Sequence, residues 1–467
     1  MTMKTIFPMT RVHEPLRVDV DIQNGQVVDA MVGATLFRGF ESIMIGRDPR
    51  DAALFTQRIC GICSSAHAIA ATLAMQQAFN VLPTPNGQFL MNLIFAADII
   101  QNHIRHFYLL AIYDYIKGPN MPPYIPRLEG DYRLPQKLNE ELLAHAKEGM
   151  LKAMQAHEML AIFGSKIPMQ QTILPTGVTE QATADRLSAY TSILHELTEW
   201  VEKVYLYDVS VLTDYYKDYY TIGNTRGNML SYGMFPQPIT GKREYSSGII
   251  LGKGRVQPLD INKIGEDIRH SWYHDDILTR NPREGTTVPD RNKADAYSWI
   301  KAPRYEGAAF EGGPLARAWI SGEYRRGTSV MDRIVARAQE TLKICQLAQE
   351  WLAQIVLGGP TLSKYTPTMQ GEGIGLTDAM RGGLGHWIKI NDGKIVHYQI
   401  VTPTSWNFSP RDNQGNPGPA EEALLGTSVA NPEDLIEIGR IIRSFDPCFT
   451  CAVHMIDAPE NKPVFIV

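Results

Sequence analysis

Arg58-Ile59-Cys60-Gly61-Ile62-Cys63 near one end of the chain and Asp446-Pro447-Cys448-Phe449-Thr450-Cys451 near the other carry four of the five cysteines, as two C-x-x-C pairs. Four thiolates make a tetrahedral set for a soft metal. A zinc ribbon places its pairs within a few tens of residues, whereas nearly the whole chain separates these. If the four act together, folding must bring both ends to one place and bury them under the intervening helices. On spacing alone, a structural zinc, another soft-metal centre and two independent redox or structural pairs all stay open. A disulfide scaffold is excluded, because it would be denser and in a shorter, secreted chain. The fifth cysteine, Cys345, falls in a predicted helix and reads as a buried small hydrophobe.

Outward from the second pair, Asn431 reads as a helix N-cap, with Pro432 at the first helical position and Glu433 and Asp434 on the favourable end of the dipole. Leu435, Ile438 and Ile442 form its apolar face. The helix is expected to end near Phe445, because Pro447 disfavours helical geometry at Asp446. Two hairpins are predicted. Arg17 to Ile22 alternates, turns at Asn24-Gly25 and resumes at Val27, and Trp387 to Ile390 turns at Asp392-Gly393 into Ile395 to Val401. Tyr190, Leu194, Leu197, Val201 and Val204 repeat three and four apart, as on a packed helix. Further helices are expected over 90–115, 140–163 and 328–355. The expectation is a mainly α, α+β fold. A core of long bundled helices would carry the metal site, antiparallel strands would lie at the periphery, and 1–467 would form one integrated domain.

Composition narrows the class. The chain has 467 residues, 44% apolar and 20% charged, with formal net charge −5. That is ordinary globular usage, and it gives no electrostatic footprint for nucleic acid. No segment approaches the ~20 apolar residues of a membrane span. The amino terminus has no apolar run and no small-residue cleavage site, so no secretory signal is expected.

The flanks of the two pairs complete longer motifs: Arg58, Cys60, Gly61, Cys63 and His67, then Asp446, Pro447, Cys448, Cys451 and His454. They resemble the two signatures of the nickel–iron hydrogenase large subunit, RxCGxCxxxH and DPCxxCxxH. Family-like segments follow in order at 37–41, 311–317, 381–387 and 403–407, so the resemblance spans essentially the whole chain. It implies a catalytic subunit that cleaves dihydrogen heterolytically and reversibly, in the uptake direction. The alternative is a regulatory, dihydrogen-sensing relative of low turnover. A metal-free relative of the respiratory complex I type is disfavoured by the four intact cysteines.

The same resemblance implies a ligand set. Cys60 and Cys448 would bind nickel alone, and Cys63 and Cys451 would bridge to an iron carrying one carbon monoxide and two cyanides. Arg381 and Thr404 would donate hydrogen bonds to cyanide, Pro403 would supply apolar wall, and His67 would donate to a bridging sulfur. Glu41, the backbone carbonyl of Ile400 and His454 would hold a magnesium ion, with Glu311 nearby. The proton would go to the Cys448 thiolate, or second to Arg381. Two departures stand out. Family members usually read T-R-[IV]-E-G-H where this chain has Thr10-Arg11-Val12-His13-Glu14-Pro15, so either His13 or the displaced Glu14 must pass protons outward. Asn102 stands where many relatives have aspartate.

Electrons need a further chain. Cys345 alone cannot hold an iron–sulfur cluster, which typically takes four cysteines. The family pairs with an iron–sulfur small subunit, in some cases reaching a membrane cytochrome b. Nickel-insertion proteins and a maturation endopeptidase act on it, so 455–467 would be a cleavable extension after His454. Without its own signal, the chain would be membrane-associated or periplasmic by export with the small subunit; a cytoplasmic location is the alternative.

Overall fold

The Asn24-Gly25 turn takes positive φ at both residues, 52° and 75°, as a two-residue hairpin requires. Strands Leu16–Gln23 and Gln26–Ala34 pair antiparallel across it, and Thr2–Ile6 adds a third strand on the far side of Leu16–Gln23. The computed structural model describes residues 2–119, 121, 130–274 and 277–449. The predicted cleavable segment 455–467 therefore lies outside the described residues.

The second hairpin is the edge of a larger sheet, Gly371–Ala379, Gly382–Asn391 and Lys394–Val401, with the middle segment central. Its first strand escapes prediction because GEGIGLTDA is rich in glycine, which weakens strands. The fold supplies the reason for the glycines. A Cβ on Gly373 or Gly375 would stand 1.9 or 1.8 Å from the carbonyl oxygens of Ala74 and Ala70. The sheet thus lies backbone to backbone on the helix Ser64–Phe79. Leu384, Trp387, Ile388, Ile395, Tyr398 and Val401 are all buried. These strands are interior, which corrects the expectation of a peripheral sheet.

The helix Ser64–Phe79 also escapes the apolar-stripe reading. Every residue in it except Leu73, Gln77 and Ala78 is buried, so it has no polar face to create a stripe. The helix Pro85–Arg105 starts at Thr84, whose hydroxyl accepts from Gly87 N at 3.1 Å, with Pro85 at the first position. It continues through a π-turn, His106–Ala111, and a tight turn, Ile112–Asp114. It packs between Gln136–Gly164 and Val330–Gln354, and Ala184–Trp200 packs on both of those. All four predicted long helices are thus present in a mixed α and β molecule.

The last helix differs from its prediction. It runs Ile436–Ser444 and is preceded by Leu435 at φ 49°. The Asn431 side chain accepts instead from Glu433 N at 3.1 Å, and Asp434 accepts from Ile436 N at 3.2 Å. Asn431-Pro432 therefore closes a turn, and the left-handed Leu435 separates that turn from the helix. The end falls at Phe445, as expected. Two buried arginines fix the helix in place. Arg443 pairs with both oxygens of Asp114 at 2.7 Å. Arg440 lies over the rings of Tyr115, Tyr216 and Tyr219 at 4.7, 4.9 and 4.9 Å. Among the described residues, no helix is long and apolar enough to cross a membrane.

Candidate metal centre

Cys448 of the remote second pair meets both cysteines of the first. Cys60 follows the short turn Gln57–Ile59, and its sulfur accepts from Ile62 N at 3.3 Å. Cys63 sits at the N-cap position of Ser64–Phe79, where the helix dipole favours a thiolate. Cys448 arrives from the other end of the chain and is held by a parallel backbone bridge to His13. His13 N donates to Pro447 O at 3.4 Å and Phe449 N donates to His13 O at 2.9 Å. The sulfurs of Cys60 and Cys448 stand 3.3 Å apart, and with Cys63 all three lie within 4.8 Å of one another, buried. Two independent pairs are therefore excluded. Cys451 and His454 lie outside the described residues.

Arg381 is the nearest strong cation. It sits on the turn between Gly371–Ala379 and Gly382–Asn391. Its Nε donates to Asp446 O at 2.7 Å, and its Nη2 donates to Asn102 Oδ1 at 2.7 Å and to Asp446 Oδ1 at 3.1 Å. Asn102 Nδ2 closes the triangle on Asp446 Oδ2 at 2.9 Å. Arg381 Nη1 is buried and makes no hydrogen bond among the described residues. Burial opposes the charge on Arg381, but Asp446 and then the three thiols raise its pKa well above the ordinary value. Burial would likewise raise Asp446, yet Arg381, His106 and Arg337 hold it well below the usual carboxylate range. A guanidinium so held donates hydrogen bonds and is a poor base, which weighs against Arg381 as proton acceptor.

His13 and Glu14 separate. Burial and then Arg381 lower the pKa of His13, while Cys448 and Asp446 raise it. Glu14 is exposed, with φ at 77°. The one-residue displacement turns its carboxylate to solvent, so the structure does not bring Glu14 into the site.

Thr404 and Pro403 lie on the short helix Pro403–Asn407, and Thr404 Oγ1 accepts from Cys448 N at 3.2 Å. The hydroxyl proton of Thr404 remains to be donated elsewhere. His67 Nδ1 lies 3.2 Å from His386 Nε2, whose ring meets Tyr398 OH at 2.8 Å through Nδ1. If Tyr398 donates into this chain, each imidazole donates onward and the proton of His67 rests on Nε2. Burial lowers His67 to about 4, so the ring is neutral at pH 7. The motifs give no hint of His386 and Tyr398, because the chain they form is tertiary.

Glu41, at the start of Phe40–Met44, accepts from Ile400 N at 2.9 Å and from the Thr287 hydroxyl. Lys301 Nζ stands 3.6 Å from Glu41 and 3.7 Å from Glu266, and donates to Gln399 at 2.8 Å. Burial pushes Glu266 up to about 7. No sequence motif marks Lys301, Glu266, Gln399 or Thr287. Glu311 is committed elsewhere: it pairs with Arg333 at 2.8 and 3.0 Å and accepts from Thr225. It braces the loop whose Gly312-Gly313 backs the Arg381 turn. Cys345 is buried in Val330–Gln354, and burial pushes its thiol up to about 12, as expected of an inert cysteine.

Comparison with known proteins places this geometry. A family model described as nickel-dependent hydrogenase matches residues 38–121, 118–328 and 322–454. The chain is 37% identical to the periplasmic [NiFeSe] hydrogenase large subunit of Desulfomicrobium baculatum, covering 98% of this chain and 96% of that protein. It is 30% identical to the hydrogenase-2 large chain of Escherichia coli K12, covering 99% of each. The solved Ni-Fe-Se hydrogenase of Desulfovibrio vulgaris Hildenborough, in its as-isolated oxidised state, superposes with a TM-score of 0.95. It is 38% identical over 97% of this chain and 100% of that one.

Proposed function

The chain belongs to the nickel-dependent hydrogenase family, as an oxidoreductase large subunit with a nickel–iron centre, and from that premise we propose how its own residues serve dihydrogen cleavage in the uptake direction. The observation that carries the proposal is the gathering of Cys60, Cys63 and Cys448 within 4.8 Å from opposite ends of the chain. Thiolates suit nickel and iron together, and the buried, unpaired N–H of Arg381 supplies a donor for an anionic ligand on the metals. Cys451 completes the set. The relatives' names include selenium, whereas this chain offers sulfur at all four positions.

The bound centre supplies Lewis-acid polarisation of dihydrogen and a store for its electrons. The chain does the rest. The Cys448 thiolate accepts the proton, and His13, joined to it through the backbone bridge, carries the proton outward. Arg381 and Thr404 donate to the cyanides of an iron that also carries carbon monoxide, and Pro403 lines that pocket. Asn102 and Asp446 hold Arg381 in orientation. His67 donates from Nε2 toward a bridging sulfur. Glu41, the carbonyl of Ile400 and His454 hold magnesium, a hard cation suited to carboxylate oxygen. Lys301 then limits how much negative charge the ion meets.

Electrons leave through the thinnest cover. Gly61 is exposed beside buried Cys60, Arg58 is half-buried, and a side chain at Gly61 would meet nothing within 4 Å. Ile43, Ile45 and Leu54 expose apolar surface in the segment that leads to Cys60. An iron–sulfur small subunit docks on this face, and through it a cytochrome b is reached. Nickel insertion precedes removal of 455–467 by an endopeptidase. The complex works outside the cytoplasm or at the membrane, in keeping with the periplasmic relative.

Infrared spectroscopy of the purified complex, with metal analysis and hydrogen-dependent dye reduction, tests this reading. Bands of metal-bound carbon monoxide and cyanide, one nickel per chain and dye reduction under hydrogen are expected. Zinc alone without those bands overturns it. Bands with negligible turnover would move the chain to the hydrogen-sensing class.

A further inference from the structure

A second buried chemical unit lies away from the cysteines, between Gln136–Gly164 and Leu206–Tyr215. Tyr108, in the π-turn after Pro85–Arg105, donates its phenol to Asp208 Oδ2 at 2.7 Å. Asp208 Oδ1 lies 2.8 Å from His145 Nδ1. Tyr108 and Asp208 are fully buried, while the His145 side chain is 21% exposed. A phenol O–H thus points at a carboxylate whose other oxygen is coupled to an imidazole that reaches solvent. Burial pushes Asp208 up to about 6 against the pull of its bonds from Tyr108 and His145. That makes it a better proton acceptor than an ordinary aspartate.

The ring of Tyr108 is clamped on several sides. A Cβ on Gly149 would stand 2.5 Å from its Cγ, so only glycine leaves it room. Trp200 and Tyr205 pack on it with ring centroids 5.1 and 5.4 Å away. Tyr205 donates to His103 O at 3.4 Å, and its phenol is raised by burial and by Asp446, two residues before Cys448. Tyr205, Trp200 and Tyr108 therefore form a cluster of oxidisable rings beside the Asp208–His145 exit.

We propose that Tyr108 is a redox-active tyrosine, the internal one-electron donor through which the protein discharges strong oxidants formed in its interior, such as species derived from dioxygen. Removing an electron from a phenol makes its proton strongly acid, so a positioned base must take the proton as the electron leaves. The electron passes from Tyr108 to the oxidant, directly or through Tyr205 or Trp200. The Tyr108 O–H bond breaks, and the proton moves to Asp208 Oδ2, which His145 keeps oriented. A thiolate in solution later returns one electron, becoming a thiyl radical that pairs to disulfide, and Asp208 returns the proton to the phenol oxygen. This inference does not rest on which metals the cysteines hold.

The assembled complex is photo-oxidised with flash-quenched ruthenium tris-bipyridine under anaerobic conditions and followed by electron paramagnetic resonance. A buried, long-lived tyrosyl signal is expected that outlasts the signals of exposed tyrosines. Tyr108→Phe, which keeps the packed ring, should abolish it. Asp208→Asn, which removes the base, should slow its formation about 10²-fold. Tyr207→Phe, at the exposed neighbour, should leave it intact. Persistence of the long-lived signal in Tyr108→Phe, or its absence from the unaltered protein, overturns the proposal and makes the three residues a structural brace.

Discussion

A histidine and a glutamate side by side near the amino terminus compete for one role, and backbone geometry separates them. Glu14 adopts φ 77° and is exposed, while His13 bonds through its backbone to the residues on either side of Cys448. A non-glycine residue in that region stores on the order of 1 kcal/mol or more. Glu14→Gly should therefore raise the denaturant midpoint, by about 1 kcal/mol in stability, and leave hydrogen oxidation at its unaltered rate. His13→Ala should slow hydrogen oxidation about 10²-fold, the lower end of what a positioned proton carrier contributes. Steady-state dye reduction on both variants checks this. Loss of turnover in Glu14→Gly with normal turnover in His13→Ala would return the proton path to the glutamate.

Among the elements, the contact between Ser64–Phe79 and the sheet Gly371–Val401 is the tightest. Gly375→Ala would drive a methyl to 1.8 Å from Ala70 O, so helix and sheet must part. Overpacking of this kind costs about 3 kcal/mol or more, and because Cys63 opens that helix, nickel content per chain should fall with stability. Urea unfolding and metal analysis measure the two. The short helix Pro419–Leu424 carries a buried carboxylate, Glu421, which accepts from Val32 N and Tyr297 OH. Burial pushes it up to about 7. A carboxyl raised in the folded state holds its proton when the unfolded chain has lost it, so stability declines as pH rises from the unfolded pKa, near 4.5, to about 7 and is level above. The decline is on the order of 3 kcal/mol for this group. Glu421→Gln should flatten that slope in urea midpoints taken from pH 4.5 to 7.5, and an unchanged slope would assign the pH dependence to other groups.

At the scale of the whole molecule, the centre is a tie between chain ends. Two backbone hydrogen bonds, of 3.4 and 2.9 Å, join His13 to the second pair, Thr404 and Arg381 hold Cys448 and Asp446 in place, and bound metal adds a further attachment. Metal binding that requires a folded site stabilises that site. Chain produced without nickel should therefore exchange amide hydrogens faster at 10–15 and 445–449 than the metal-loaded chain. The buried helix Pro85–Arg105 should be equally protected in both. Mass-spectrometric exchange resolves these peptides, and equal protection at the termini with and without metal would show that the protein alone holds the ends together.

The amino-acid sequence by itself determined the chemistry of the thiols, the four long helices and both hairpins. Residue type and local periodicity act over a few residues and survive without tertiary context. Ser64–Phe79 was hidden because burial on all sides erases its stripe, and Gly371–Ala379 because the glycines that let it lie against that helix weaken the strand signal. The start of the last helix was misplaced because Asn431-Pro432 suits a turn as well as a cap, and only packing around Leu435 decides between them. His386, Lys301 and Asp208 gain their roles from partners dozens to hundreds of residues away. The exposure of Glu14 beside half-buried His13 likewise belongs to tertiary structure, because the left-handed backbone at Glu14 is not legible in the residues around it.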